Sequence, residues 1–146
     1  MRSWYNKIVA FPADEPVVTP RPEGVRIFLD SLAAQDFPRL ASALSDDAHL
    51  RALLPGEFRA WDGAERVTAT FERWLGNTEE YELVDATVDA VGARLHLRWR
   101  AHLRAERLGD GWFVVDQEAY IDTDADDRIC QLSLLCSGYV ADEGVA

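Results

Sequence analysis

Residues 81–123, YELVDATVDAVGARLHLRWRAHLRAERLGDGWFVVDQEAYIDT, alternate apolar and polar side chains almost without a break. A period of two belongs to strands with one covered face and one open face. Turn signals at Gly92-Ala93 and Gly109-Asp110-Gly111 divide the stretch into strands Tyr81–Val91, Arg94–Arg107 and Trp112–Thr123. A fourth strand, Arg128–Tyr139, follows the turn at Ala125-Asp126-Asp127. Charge sets the pairing. A two-residue turn at Gly92-Ala93 opposes Asp89 to His96 and Asp85 to Arg100. A three-residue loop at Gly109-Asp110-Gly111 opposes Arg104 to Asp116, His102 to Glu118 and Arg98 to Asp122. Opposite charges then meet on one face. The other face gathers Val84, Ala86, Val88, Leu95, Leu97, Trp99, Ala101, Leu103, Phe113, Val115, Gln117, Ala119 and Ile121. A slip of one residue would reverse the faces and turn Asp116 and Glu118 inward.

Upstream, the apolar spacing turns helical. Val25, Phe28, Leu29 and Leu32 share one face from Glu23 onward, and Gln35-Asp36 ends the run. A second short helix has Asp36 at its cap, Pro38 in its first turn and Phe37, Leu40, Ala41 and Leu44 inward. Strand Ala48–Leu54, a turn at Pro55-Gly56 and a return strand Glu57–Trp61 come next. Asp62, with Glu65 in reciprocal position, is expected to cap a third helix whose apolar residues are Val67, Phe71, Trp74 and Leu75. Residues 1–22 hold four prolines and read as an extended arm, residues 23–140 as the domain, and residues 141–146 as a tail. The expected fold is α+β: a curved antiparallel sheet wrapped around three N-terminal helices, in the manner of a cone-shaped barrel.

A length of 146 residues suits one domain with a substantial core. The formal charge of −11 argues against a phosphate backbone or an anionic membrane surface as partner, because both are bound by clustered Lys and Arg. No run approaches the roughly 20 apolar residues of a membrane span. Pro12 interrupts the apolar run Ile8–Phe11, so no secretory leader is expected and the location is expected to be cytoplasmic. Cys130 and Cys136 share one parity, and six residues at about 3.3 Å each separate them by roughly 20 Å, too far for a disulfide or a shared metal. No phosphate loop, metal cluster or nucleophile–base motif stands in the sequence, and no cofactor or metal is expected.

The order helix, helix, short hairpin, helix and four long strands resembles the nuclear-transport-factor-2-like superfamily. Ser45-Asp46-Asp47-Ala48 resembles its acidic link from second helix to first strand, and Asp127-Arg128-Ile129 its turn into the last strand, often written Asp-Gly-Arg-Ile. The likeness covers residues 23–139. It implies a cavity between helices and sheet, and sheets that often pair back to back as homodimers. Among its members are ketosteroid isomerases, polyketide cyclases, epoxide hydrolases, dehydratases and non-catalytic binding modules, so the fold does not choose the function. The isomerase positions that stabilise an enolate and move a proton fall on Phe28, Ala119 and Ala52, none of which titrates. The last-strand acid of the epoxide hydrolases falls near Leu134.

Three readings follow. In the first, an apolar cavity lined by Phe28, Phe71, Trp99, Ala119, Leu132 and Cys136 binds a small apolar molecule, with Gln117 as polar anchor. In the second, an isomerase, cyclase or dehydratase acts on a polyketide- or steroid-like substrate through Asp116 or Glu118, which requires both to face the helices. In the third, the charge-laced sheet face makes a dimeric interaction module. His96 and His102 are expected to belong to that face, and His49 to be solvated.

Overall fold

The computed structural model describes residues 21–143. Helix α1, Glu23–Ala34, starts directly after Pro22 and ends where Gln35 adopts a left-handed conformation (φ 54°). The Gln35 side-chain amide donates to the carbonyl of Leu75 and to Thr78 Oγ1, which ties the end of α1 to the end of a later helix. Helix α2, Phe37–Ser42, is capped as expected: the Asp36 carboxylate accepts from the Arg39 N–H at 3.1 Å. Strands β1, Leu44–Leu54, and β2, Glu57–Asp62, form a hairpin, and helix α3, Ala64–Leu75, follows. Asp62 does not cap α3. It is the last residue of β2 and holds His49 instead, and Gly63 at φ 95° occupies the cap position with no side chain to offer.

Four long strands complete the chain: β3 (Glu80–Val91), β4 (Arg94–Arg104), β5 (Phe113–Thr123) and β6 (Ile129–Ala141). The sheet runs β2-β1-β6-β5-β4-β3. It departs from the expected all-antiparallel arrangement, because β1 lies parallel to β6. It is also an open sheet, with β2 and β3 at its edges. Alternation along a strand reports which face is covered but carries no information about the partner strand, so this pairing was not visible beforehand.

The β3–β4 register agrees with the charge argument, Asp89 opposing His96 and Asp85 opposing Arg100. A bulge between Leu83 and Asp85 leaves the expected inward residue Val84 43% exposed. Between β4 and β5 the expected pairs are displaced by four residues: Arg100 opposes Asp116, Arg98 opposes Glu118 and His96 opposes Tyr120. The connection is longer than a three-residue loop. It contains the 3-10 turn Glu106–Leu108, from which Arg107 donates to the carbonyls of Trp74, Gly76 and Asn77. A cation thus meets the carbonyl end of α3, where the helix dipole favours it. Four is an even number, so the displacement leaves both faces as read.

A close approach fixes α1 against the turn between β5 and β6. A Cβ on Gly24 would lie 2.4 Å from the Asp127 carbonyl, which accepts the Gly24 N–H at 3.0 Å. Asp127 itself has φ 63°, a conformation that Asp tolerates better than most residues. The Asp124 carboxylate steadies that turn by accepting from the N–H groups of Asp126 and Arg128. The core lies between α1–α3 and the inner face of the sheet, built from Val25, Phe28, Leu32, Phe71, Leu97 and Ile121 among others, all fully buried.

Candidate functional site

The seven residues expected to line an interior site come together on the helix side of the sheet, as a packed cluster. Phe28 meets Phe71 edge-on at 5.4 Å and Trp99 at 5.5 Å, and Phe71 lies 6.4 Å from Trp99. Phe28, Phe71, Ala119 and Leu132 have no accessible surface, so no water-sized space adjoins them. The aromatic side chains fill the interior that the sequence reading had left open.

Gln117 is the one polar side chain among them. Its amide oxygen accepts from the Trp99 indole N–H at 2.8 Å, and its NH2 group donates to Cys136 Sγ at 3.4 Å. Thiol sulfur is a weak acceptor, so that end of the amide is poorly satisfied. Cys136 is half-buried. Other inward side chains near the same rim are also half-buried: Leu54 on β1, Trp61 on β2, Trp74 on α3 and Tyr139 on β6. Trp74 touches both Trp61 (5.7 Å) and Phe71 (5.3 Å), so an aromatic path runs from the rim to the interior. The Tyr139 hydroxyl donates to the Trp74 carbonyl, and burial pushes its pKa up. The sequence reading counted Trp74 among the core aromatics that could line a cavity and gave Trp61 and Tyr139 no role there. Their inward parity was legible, but their partial exposure depends on where the helices end.

The carboxylates of the enzyme reading lie on the opposite face. Asp116 accepts two bonds from Arg100, at 2.7 and 3.2 Å, and raises the pKa of that guanidinium through the side-chain hydrogen bond and its charge. Glu118 contacts His96 at 3.1 Å and Arg98 at 3.9 Å. Neither points at the helices, so the register slip that would have made them interior acids does not occur. His49, expected to be solvated, pairs with Asp62.

That outer face carries a groove of about 420 Å³. Asp85, Arg98, Arg100, Asp116, Glu118 and Leu135 line it together with Trp99, Gln117 and Cys136. Beside it, Phe58, Leu53 and Leu135 are consecutive cross-strand neighbours on β2, β1 and β6. They are 63%, 51% and 44% exposed. Among the described residues no cluster of three or more His, Cys, Asp or Glu side chains is arranged to hold a metal ion.

No protein-family model matches the sequence, and no curated protein matches it significantly. Solved structures do match. A protein provisionally assigned as a SnoaL-like polyketide cyclase, from Shewanella putrefaciens, superposes with a TM-score of 0.63 at 15% identity, over 81% of this chain and 90% of that one. An epoxide hydrolase of LEH-like type from M. tuberculosis gives 0.56 at 22% identity, over 80% and 82%. A steroid delta-isomerase from Pseudomonas aeruginosa gives 0.55 at 19% identity, over 77% and 76%. The chain has the nuclear-transport-factor-2-like fold.

Within this fold, the positions that the resemblance assigns to proton transfer hold Phe28, Ala52 and Ala119, each with no exposed surface. Leu134, at the last-strand position, is equally apolar and 3% exposed. None of the four side chains can exchange a proton.

Proposed function

We propose that this chain binds a small, largely apolar molecule on the helix side of its sheet, entered at the rim of Trp61, Trp74, Cys136 and Tyr139 and anchored by Gln117. One observation carries the reading: a buried amide N–H whose only acceptor is a thiol 3.4 Å away. A ligand carbonyl or hydroxyl is a stronger acceptor and would take its place. Because the interior is filled, entry must displace side chains, and half-buried Cys136 is the one that stands between Gln117 and the rim. The neighbours named above include a steroid isomerase and an epoxide hydrolase, which supports small, mainly hydrocarbon molecules as the class to try. Isomerase, cyclase or dehydratase chemistry through Asp116 or Glu118 draws no support from the geometry.

The test is titration of tryptophan fluorescence with a panel of steroid-like and polycyclic ketones. Saturable quenching is expected, and Gln117→Leu should weaken it about tenfold, the equivalent of one hydrogen bond. Equal affinity in the variant removes Gln117 as anchor.

We also propose that the domain acts as a homodimer through the outer sheet face. Of the seven large hydrophobic residues exposed among those described, six lie there: Leu53, Phe58, Val91, Tyr120, Leu135 and Val140. Apolar residues concentrated on one face mark a contact surface. Sedimentation equilibrium should report a dimer that Leu53→Asp dissociates.

A further inference from the structure

The carbonyl end of α3 is held by side chains from three other parts of the chain. Each backbone carbonyl from Trp74 to Asn77 accepts from one of them. Arg107, in the turn between β4 and β5, donates to Trp74 at 3.1 Å, to Gly76 at 2.9 Å and to Asn77 at 3.0 Å. Gln35, at the end of α1, donates to Leu75 at 2.7 Å. The Tyr139 hydroxyl, on β6, donates to the same Trp74 oxygen that Arg107 reaches. A carbonyl oxygen has two lone pairs, so that one is filled. The last carbonyls of a helix find no partner within it, and this end therefore depends on what reaches it from elsewhere. Trp74 is the residue through which it meets the rim. The half-buried Trp74 ring lies 5.7 Å from Trp61 and 5.3 Å from Phe71, and Phe71 meets Phe28 and Trp99. The interior behind it is filled, so a molecule entering at the rim has to move this ring.

We infer that Arg107 is a positioning residue of the binding site: by fixing the end of α3 it holds Trp74 against Trp61, which admits flat ring systems and slows globular ones. This rests on the binding reading above. A planar aromatic ketone needs the two indoles to part only by the thickness of a ring. A globular saturated ketone needs a wider gap, and that gap requires the last turn of α3 to leave its partners. Binding that waits for a minor conformation is slowed and weakened in proportion to how rarely that conformation occurs. Arg107 makes three of the five bonds that hold these carbonyls. It is exposed, so its replacement opens no cavity in the core.

The experiment is stopped-flow tryptophan fluorescence of the full chain with two probes, the flat acetylnaphthalene and the globular adamantanone. In wild type the flat ketone should associate about tenfold faster than the globular one. R107M keeps the apolar stem and removes every donor. It should bring the two rates within about threefold of each other by accelerating the globular ketone. R107K returns a cation to the same carbonyls and should restore most of the difference, and Y139F, which loses one bond, should fall between wild type and R107M. Hydrogen exchange without ligand gives a second readout: in R107M the last turn of α3, residues 72–76, should exchange about tenfold faster while α1 is unchanged. A wild type whose fluorescence responds to neither ketone ends the binding reading and this inference together. Binding in wild type with the same rates and preference in R107M overturns this inference alone, and so does unchanged exchange at the end of α3. If R107M does not fold, Y139F decides, and an unchanged preference there overturns the inference.

Discussion

Leu97, Trp99 and Ala101 alternate along β4 with Arg98 and Arg100, and the two sets live in different surroundings. The first three are buried in the core, Trp99 against Phe28 of α1 and Phe71 of α3. The two arginines have more than half of their side-chain surface in water. Polarity is handled differently on each side. Inside, one amide is held in a short chain from Trp99 to Gln117 to Cys136. Outside, Arg94, Arg98, Arg100 and Arg104 each have a carboxylate partner within 4 Å, in contact with water that screens it. The same strands therefore build a face where single atoms matter and a face where only the aggregate pattern does.

The largest expected effect tests the inner face. Phe71 touches Phe28, Trp74 and Trp99 and has no accessible surface. Phe71→Ala should cost about 3–5 kcal/mol in urea unfolding, the sum of lost transfer energy and an unfilled cavity. Phe58→Ala on the outer face, where the ring is 63% exposed, should change monomer stability within error. Comparable losses at both positions would break the contrast.

Gln117→Leu comes next. It leaves the Trp99 N–H without its acceptor in an apolar setting, a penalty of about 1–3 kcal/mol. The double change with Trp99→Phe should recover part of that loss, because donor and acceptor then disappear together. A double-mutant cycle with no coupling would mean that the 2.8 Å bond contributes nothing.

How much of this was legible can be judged residue by residue. Parity was: Trp99, Gln117 and Ala119 are inward and Asp116 and Glu118 outward, as alternation required. The pairing of Arg100 with Asp116 was not, because the loop after β4 was counted as three residues. Its real length answers to Arg107, which must reach the carbonyl end of α3, and that is a tertiary demand absent from local pattern. Val84 was misassigned for a similar reason, since a bulge adds one residue without a sequence mark. The residues expected to line an interior pack into one cluster, but whether a group of aromatics encloses space or fills it depends on packing to within an ångström, which composition does not encode. The outer apolar row was readable in principle: Leu53 and Leu135 stand at outward parity, where a solvated strand would carry polar side chains.

Alkaline pH sharpens the inner-face argument by a smaller amount. Burial raises the pKa of Tyr81 well above the ordinary tyrosine value, and its hydroxyl donates to the Leu32 carbonyl at 2.8 Å. Folding thus holds a proton that the unfolded chain releases above about pH 10. The sign follows directly. The contribution is complete below that pH and is lost as pH rises beyond it, by up to about 1.4 kcal/mol per pH unit. Tyr81→Phe should flatten the decline at a cost of about 1 kcal/mol at neutral pH. A decline of unchanged slope in Tyr81→Phe would assign it to other groups, Tyr139 first, whose pKa burial also raises.

The smallest effect belongs to the outer face and completes the contrast. Arg94 and Asp122 form a 2.9 Å ion pair across β4 and β5, with 37% and 39% of their side-chain surface exposed. Exposed pairs of this kind contribute about 0–1 kcal/mol, because water stabilises the separated charges almost as well. Asp122→Asn keeps the shape and one acceptor oxygen, so thermal unfolding at low salt should shift slightly and at high salt not at all. A loss as large as that of Gln117→Leu would mean that the outer charges are held in a rigid, poorly hydrated network. In that case their value in the isolated chain would lie in folding, and the outer face would have little left to offer a second copy.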